Sequence, residues 1–331
     1  MAACPTRRTL LRGLAPLGYA ATGAARALAQ PQHSGAKVRD GDYFSPLMPL
    51  VENRTLMGKG SLLLAPVDEP ALFFVSDHRH VSETLWKPGS LVKPFLLEYL
   101  LEHGLLRDEE RHPCPGGALP FAGRRLDCSH APQPGPLDPA TALALSCNRC
   151  FLHWAERLLR PGRRDAFANA LRLAGFSKRQ WFGQQTAAAQ VSSPRSREAV
   201  LLQSLGESDI VTTPLAVLGA YQAFLRRVRD GNNSIGPLRM ASPTLLSGMS
   251  NCIRAGTGIE AQVPGLYLGG KTGTGTSPDR RSLHGWMVSY WPVAAPRLVM
   301  VVLIEHGRGG VEAAAVTGEA WRRLQRAGLV S

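Results

Sequence analysis

Residues 87–95 read KPGSLVKPF, with Ser90 three positions before Lys93 and a proline on either side of the pair, Pro88 and Pro94. On a helix, positions i and i+3 share a face. A serine hydroxyl is a poor nucleophile until a base takes its proton, and a lysine kept neutral by burial or a nearby cation can be that base. A serine at a helix N-terminus also lies beside unpaired backbone N–H groups, which suit a developing oxyanion. The pair alone decides little. Its spacing arises roughly once by chance in a chain of ordinary composition, and Ser34 with Lys37 repeats it here. Pro94 adds weight: in the regular helical pattern its missing N–H leaves the Ser90 carbonyl without a partner. Functional sites often carry a local cost of this kind.

Two further stretches supply groups that such a pair needs. ALSCNRCF (144–151) places a hydroxyl, Ser146, and a carboxamide, Asn148, at alternate positions. In a turn this spacing aims both into one cleft, where the hydroxyl can relay a proton and the amide can bind a carbonyl. LGGKTGTG (268–275) carries Lys271, Thr272, Gly273 and Thr274. On a strand Lys271 and Gly273 face one side, and a glycine there leaves room for a ligand backbone. The stretch GLYLGGKT (265–272) has the spacing of a phosphate-binding loop, but that loop opens a helix, and here Gly-Thr-Gly and strands follow, so it is not read as one.

The elements around these stretches set the fold. SLLLAP (61–66) and ALFFVS (71–76) read as a strand hairpin. Residues 92–103 have helical apolar spacing, with Gly104 as the stop. Helical patterns recur near 139–160 and 164–174, and over 212–231, where Thr213 caps and Pro214 takes the first turn. Another covers 242–256. The period then changes: 266–275, 283–292 and 297–306 read as three successive strands, and 311–328 as a closing helix. Strands at both ends with helices between predict an α/β (α+β) fold. Its antiparallel sheet is built from both ends of the chain and flanked by helices, with a mostly helical subdomain. The expected organisation is an irregular leader over 30–57 and one domain over 58–331, with 105–205 a mainly helical insert.

The ordered set S-x-x-K, S-x-N, K-T-G resembles that of the penicillin-binding protein transpeptidase domain, in the superfamily shared with serine β-lactamases. The likeness extends to WKPGSLVKPF (86–95), ALALSCNRCF (142–151), IVTTPLAVLGAYQAF (210–224, with Ala216 where the family usually has Gln), GMSNCIRAGTGIEA (248–261) and HGWMVSYWP (284–292). It covers roughly residues 58–328. The resemblance implies a β-lactamase/transpeptidase-like fold and an acyl-serine mechanism. Ser90 would be the nucleophile and Lys93 its base; Ser146 would bridge Lys93 and the leaving amine. Lys271 would supply positive potential, Asn148 would bind a substrate amide, and Thr272 and Thr274 would hold a carboxylate. The backbone N–H groups of Ser90 and Thr274 would form the oxyanion hole. Trp286 is read either as a cleft wall or as core. The implied substrates are peptidoglycan stem peptides ending in D-Ala-D-Ala, with β-lactams as mimics and no metal or organic cofactor. A serine β-lactamase, or a β-lactam or peptidoglycan sensor, is the alternative. The asparagine of S-x-N argues against one lactamase type. The lack of an E-x-x-L-N stretch between Asn148 and Lys271 argues against another.

Composition fits this reading. Hydrophobic residues make up 44% and charged residues 19%, enough apolar content for a large core. The net charge of +13 comes mostly from arginine, without the basic–aromatic runs of a nucleic-acid binder. Arg7-Arg8 followed by Leu10-Leu11, a short apolar stretch and Ala27-Leu28-Ala29 predict a twin-arginine export signal over 1–29. Its removal takes away four arginines and leaves +9. No stretch is long and apolar enough for a stable membrane span. In an oxidising compartment Cys114 and Cys128, which bracket a Gly/Pro-rich stretch, are a candidate disulfide. Cys147-x-x-Cys150 has no second pair at metal-ligand spacing, so no metal site is expected.

Overall fold

The segment RLVMVVLIEH (297–306) is apolar at almost every position, and a strand can be so only where both sheet faces are covered. In the computed structural model of the protein, which describes residues 40–53, 60–69, 72–76, 78–179, 181–182, 184–231, 243–277 and 282–331, it forms such a strand. The sheet comprises β1 (Gly60–Pro66), β2 (Phe74–Val75), β3 (Gly269–Thr276), β4 (Leu283–Trp291) and β5 (Leu298–Glu305) in the order β2–β1–β5–β4–β3. Every pairing is antiparallel. The sheet is therefore built from both ends of the chain, as the sequence predicts.

Alternation along the strands sorts side chains between two cores. Leu62, Leu64, Met300, Val302 and Met287 face α1 (Phe44–Glu52) and α9 (Ala314–Arg326). Leu63, Val299, Val301, Leu303 and Val288 face the helical side of the molecule. That side holds α2 (Lys93–Glu102), α3 (Pro139–Ala144), α4 (Asn148–Ala155), α5 (Ala166–Ala174), α6 (Arg197–Gln203), α7 (Pro214–Gly231) and α8 (Pro243–Ala255). Thr213 does cap α7, its hydroxyl accepting from Ala216 N–H at 3.1 Å. On α9, Val316, Ala320, Trp321 and Leu324 form the buried stripe, and Trp321 Nε1 donates to Ser289 Oγ at 2.8 Å.

Two expected boundaries are corrected. The leader 30–57 is not irregular throughout, because Phe44–Glu52 is a helix whose Leu47 and Leu50 are fully buried in the α9-side core. Pro46 and Pro49 hide its periodicity; Pro49 lies inside the helix and removes a backbone donor. The insert 105–205 is helical only from Pro139 onward. Residues 105–137 carry turns and a two-stranded hairpin, Pro120–Phe121 with Arg124–Arg125, as their six prolines and repeated glycines dictate. The export segment 1–29 lies outside the described residues. Among the described residues no helix is long and apolar enough to cross a membrane.

The sheet positions the site through its β3 edge. There α8 packs against both β3 and α3, and Thr257, just past α8, donates its N–H to Ala144 O at 3.1 Å. This contact ties the end of α3, and the turn that follows it, to the strand that carries Lys271.

Candidate active site

Ser90 lies in a 3-10 turn, Gly89–Val92, that leads into α2. The tighter turn resolves the oddity of Pro94: Lys93 N–H donates to Ser90 O, so Pro94 falls at the start of α2, where no N–H is needed. The proline is a start signal and not a strained insertion. Backbone bonds brace the turn on both flanks. The Lys87 carbonyl accepts from His284 Nε2 at 2.7 Å and Trp286 Nε1 at 3.0 Å. The Leu91 carbonyl accepts from the Tyr221 hydroxyl at 2.8 Å. Burial pulls the His284 pKa down to about 4, so its ring is neutral and Nε2–H is the donor. Trp286 is fully buried, which settles its reading: it belongs to the core and holds the turn from behind.

The turn meets β3 backbone to backbone. Gly89 has φ +52°, and a Cβ there would overlap the Thr274 carbonyl; a Cβ on Gly273 would stand 2.7 Å from Pro88 O. The space that Gly273 leaves is thus taken by the Ser90 turn itself, and not by a ligand backbone. This contact brings Ser90 and Thr274 to the wall of one cleft.

Lys93 and Lys271 are both completely buried. Lys93 Nζ lies 2.7 Å from Ser146 O, 3.3 Å from Ser146 Oγ and 2.6 Å from Asn148 Oδ1. Lys271 Nζ lies 2.8 Å from Ser146 Oγ and 2.8 Å from Thr272 O. Ser146 Oγ therefore stands between two amines. Ser146 has φ +52°, a left-handed conformation that costs a non-glycine residue about 1–3 kcal/mol and marks functional sites. Burial first, and the Lys271 charge second, lower the Lys93 pKa to about 7. Burial lowers that of Lys271 to about 8. A neutral Lys93 donates two hydrogens, which suit its two shorter contacts, and keeps one lone pair for a proton. Ser146 can accept from Lys271 and pass its own hydrogen toward Lys93. Among the described residues the Ser90 hydroxyl has no hydrogen-bond partner, so it is open to the cleft.

Asn148 departs from expectation. Its Oδ1 accepts from Lys93, while Nδ2 donates to Leu126 O at 3.1 Å and Asp127 O at 3.2 Å. The carboxamide thus joins Lys93 to the loop after the 120–125 hairpin. Thr272 Oγ1 and Thr257 Oγ1 are 2.6 Å apart, and Thr274 Oγ1 accepts from Gly309 N–H at 3.1 Å.

The cleft encloses about 1120 Å3, and Ser90, Ser146, Asn148, Thr272 and Thr274 all line it. Sequence reading missed Glu207, which also lines the cleft. Its carboxylate lies 4.0 Å from Lys87 Nζ and 3.9 Å from Arg124. Burial raises its pKa, opposed by those two cations. No motif flagged it, since a lone glutamate between Gly206 and Ser208 reads as an ordinary loop residue.

The expected disulfide is corrected as well. Cys114 and Cys128 do come together, but as free thiols with sulfurs 3.6 Å apart, outside bonding distance.

Comparison with known proteins agrees with this architecture. The penicillin binding protein transpeptidase domain model matches residues 20–322. The peptidoglycan D,D-transpeptidase PbpA of Mycobacterium tuberculosis H37Rv is 24% identical over 263 residues, covering 70% of this chain and 52% of the relative. PbpA of Mycolicibacterium smegmatis is 25% identical over 257 residues, with the same coverage. The chain spans about half the length of these curated relatives. Among solved structures, the transpeptidase domain of Burkholderia pseudomallei penicillin-binding protein 3 superposes with a TM-score of 0.70 at 19% identity, over 86% of this chain and 93% of that one. Pseudomonas aeruginosa PBP2 gives 0.69 at 18% identity, over 84% and 74%. With the family's three motifs gathered on one cleft and its model matching most of the sequence, the chain belongs to the penicillin-binding protein transpeptidase domain family.

Proposed function

We propose that the protein is a serine D,D-acyltransferase acting on peptidoglycan stem peptides that end in D-Ala-D-Ala. The observation that carries this reading is the buried Lys93–Ser146–Lys271 array beside the open Ser90 hydroxyl. Ser90 Oγ attacks the carbonyl of the penultimate D-Ala while its proton passes to Lys93, neutral near its pKa of about 7. The oxyanion is held by the N–H groups of Ser90 and Thr274. As the C–N bond breaks, Ser146 delivers a proton from Lys93 to the departing D-Ala amine. The substrate carboxylate is bound by Thr272 and Thr274 in the potential of Lys271, and Asn148 holds Lys93 in place through its Oδ1. The acyl group then passes from Ser90 to an amine of a second stem, which is cross-linking, or to water, which is trimming.

A fluorescent penicillin followed over time tests the reading. Wild type should retain the label and Ser90→Ala should take none. Rapid loss of label with drug hydrolysis would instead make the protein a serine β-lactamase, and no labelling of wild type would remove both enzyme readings. The reaction belongs outside the cytoplasm, with Arg7-Arg8 as the export signal. Arg7→Lys with Arg8→Lys should then hold the protein in the cytoplasm, and unchanged export would remove that assignment.

A further inference from the structure

Four soft or borderline donors from separate parts of the sequence converge behind the S-x-N turn. The Sγ atoms of Cys114, Cys128 and Cys147 and a ring nitrogen of His130 all lie within 4.8 Å of one another. Cys114 Sγ is 3.6 Å from Cys128 Sγ and 3.7 Å from His130 Nε2, and Cys128 Sγ is 3.8 Å from Cys147 Sγ. A zinc ion with Zn–S of about 2.3 Å and Zn–N of about 2.0 Å gives tetrahedral edges of about 3.8 Å between sulfurs and about 3.5 Å between sulfur and nitrogen. These three separations lie close to such edges, and the remaining three fall within 4.8 Å. They are far from the ~2.05 Å of a disulfide.

The surroundings suit a metal-binding set. The Ala131 carbonyl lies 2.8 Å from His130 Nδ1, which places the ring hydrogen there and leaves the Nε2 lone pair facing the sulfurs. Such an outer hydrogen bond is the usual way a ligating histidine is oriented. The Cys150 backbone N–H points at Cys147 Sγ at 3.5 Å. The three thiols are buried and His130 is half-buried. Cys150 stands outside the set, 3.4 Å from Cys147 Sγ.

We infer that Cys114, Cys128, His130 and Cys147 form a structural zinc site. Three thiolates and an imidazole are the donor set of a closed tetrahedral zinc centre, with no position open for chemistry. Binding would release the three thiol protons to solvent. The earlier expectation of no metal site rested on spacing, and spacing misled. One donor precedes the 120–125 hairpin, two follow it and one starts α4, so no short Cys–Cys pair advertises the site. Its place gives it a purpose. Cys147 lies between Ser146 and Asn148, and Cys128 follows Asp127, whose carbonyl accepts from Asn148. A metal here would lock the turn that carries both groups to the loop that orients Asn148.

The test uses the full chain purified under reducing conditions without chelator. Elemental analysis should find one zinc per chain. Replacement by cobalt should give the intense thiolate-to-cobalt absorption of a tetrahedral site. Cys128→Ser and His130→Ala should each lower zinc affinity at least tenfold, and Cys150→Ser should leave it unchanged. Should the variants fold poorly, wild type stripped by a chelator and titrated with zinc alone decides the matter. It should bind one equivalent, recover the cobalt spectrum and melt at a higher temperature. Removal of zinc should also slow penicillin labelling of Ser90 at least tenfold. The inference is overturned if wild type neither holds nor takes up zinc. It is equally overturned if peptide mapping of the native protein finds a Cys114–Cys128 disulfide, or if the Cys128 and His130 variants keep full affinity. Metal content and the cobalt spectrum do not depend on Ser90 reacting, so they judge this site separately from the proposed activity.

Discussion

Ser146 concentrates the chemistry of the site in one side chain, because its hydroxyl touches both buried lysines while its backbone is held at φ +52°. Two substitutions separate these properties. Ser146→Ala should lower the rate of Ser90 acylation on the order of 10²-fold or more, as expected for a lost proton relay. Ser146→Gly should lose the same activity yet be at least as stable as wild type, since glycine adopts the left-handed region without cost. Melting curves beside labelling rates check both. In the proposed mechanism Lys93 sets the pH dependence. With its pKa lowered to about 7, it is neutral and able to accept a proton above that pH and charged below it. Acylation should therefore fall about tenfold per pH unit below 7, for a single titrating base. Lys271→Gln removes the charge that helps to lower the Lys93 pKa, and should move this acid limb to higher pH along with a lower rate. A pH–rate profile of penicillin acylation that stays flat from pH 5 to 8 would contradict the role of Lys93. At this scale the sequence led Ser90, Lys93, Ser146 and Lys271 to be expected at one site, and the fold gathers them there. The detail was not readable. That Asn148 spends both ends of its amide on protein groups depends on a loop 21 residues upstream, which no local pattern announces.

At the scale of elements, the Ser90 turn depends on carbonyls gripped by distant side chains. Tyr221 on α7 is fully buried and donates to Leu91 O. Tyr221→Phe leaves that carbonyl without this partner and should cost about 1–3 kcal/mol, measurable as a lower denaturation midpoint, with a slower acylation rate as the turn loosens. Trp286→Phe removes one of two donors to Lys87 O and leaves His284 in place, so its effect on acylation should be the smaller. The strands of the sheet's centre, α2, α7 and α9 were legible from their apolar runs and spacing, and α7 also from its Thr213 cap. Helix α1 was not, since Pro46 and Pro49 masked a short stripe made by Leu47 and Leu50. The 105–137 segment was not either. Its shape comes from turns and from the cysteine and histidine cluster, not from a repeating apolar face.

At the scale of the molecule, the sheet divides labour between its two faces. One face carries Lys271 against the turns that hold Ser90 and Ser146; the other is sealed by the first and last helices, α1 and α9. Leu47 is fully buried on that far side. Leu47→Ala should lower stability by about 2–5 kcal/mol while the folded fraction keeps its labelling rate. A matching loss of labelling rate at temperatures where the variant is folded would show that the far face is coupled to the site. The fold was readable at this level because the chain places strands at both ends, and because three short motifs, each weak alone, occur in one order. What joins them in space is the contact of the Ser90 turn with β3, and Gly89 and Gly273 make that contact possible.

In the proposed reaction Ser90 is the nucleophile that becomes acylated. Peptide mapping by mass spectrometry of the protein trapped with penicillin tests it most directly. One penicilloyl adduct is expected, on the peptide that contains Ser90, and none on the Ser90→Ala protein. An adduct on any other residue, or one that persists in Ser90→Ala, would contradict it.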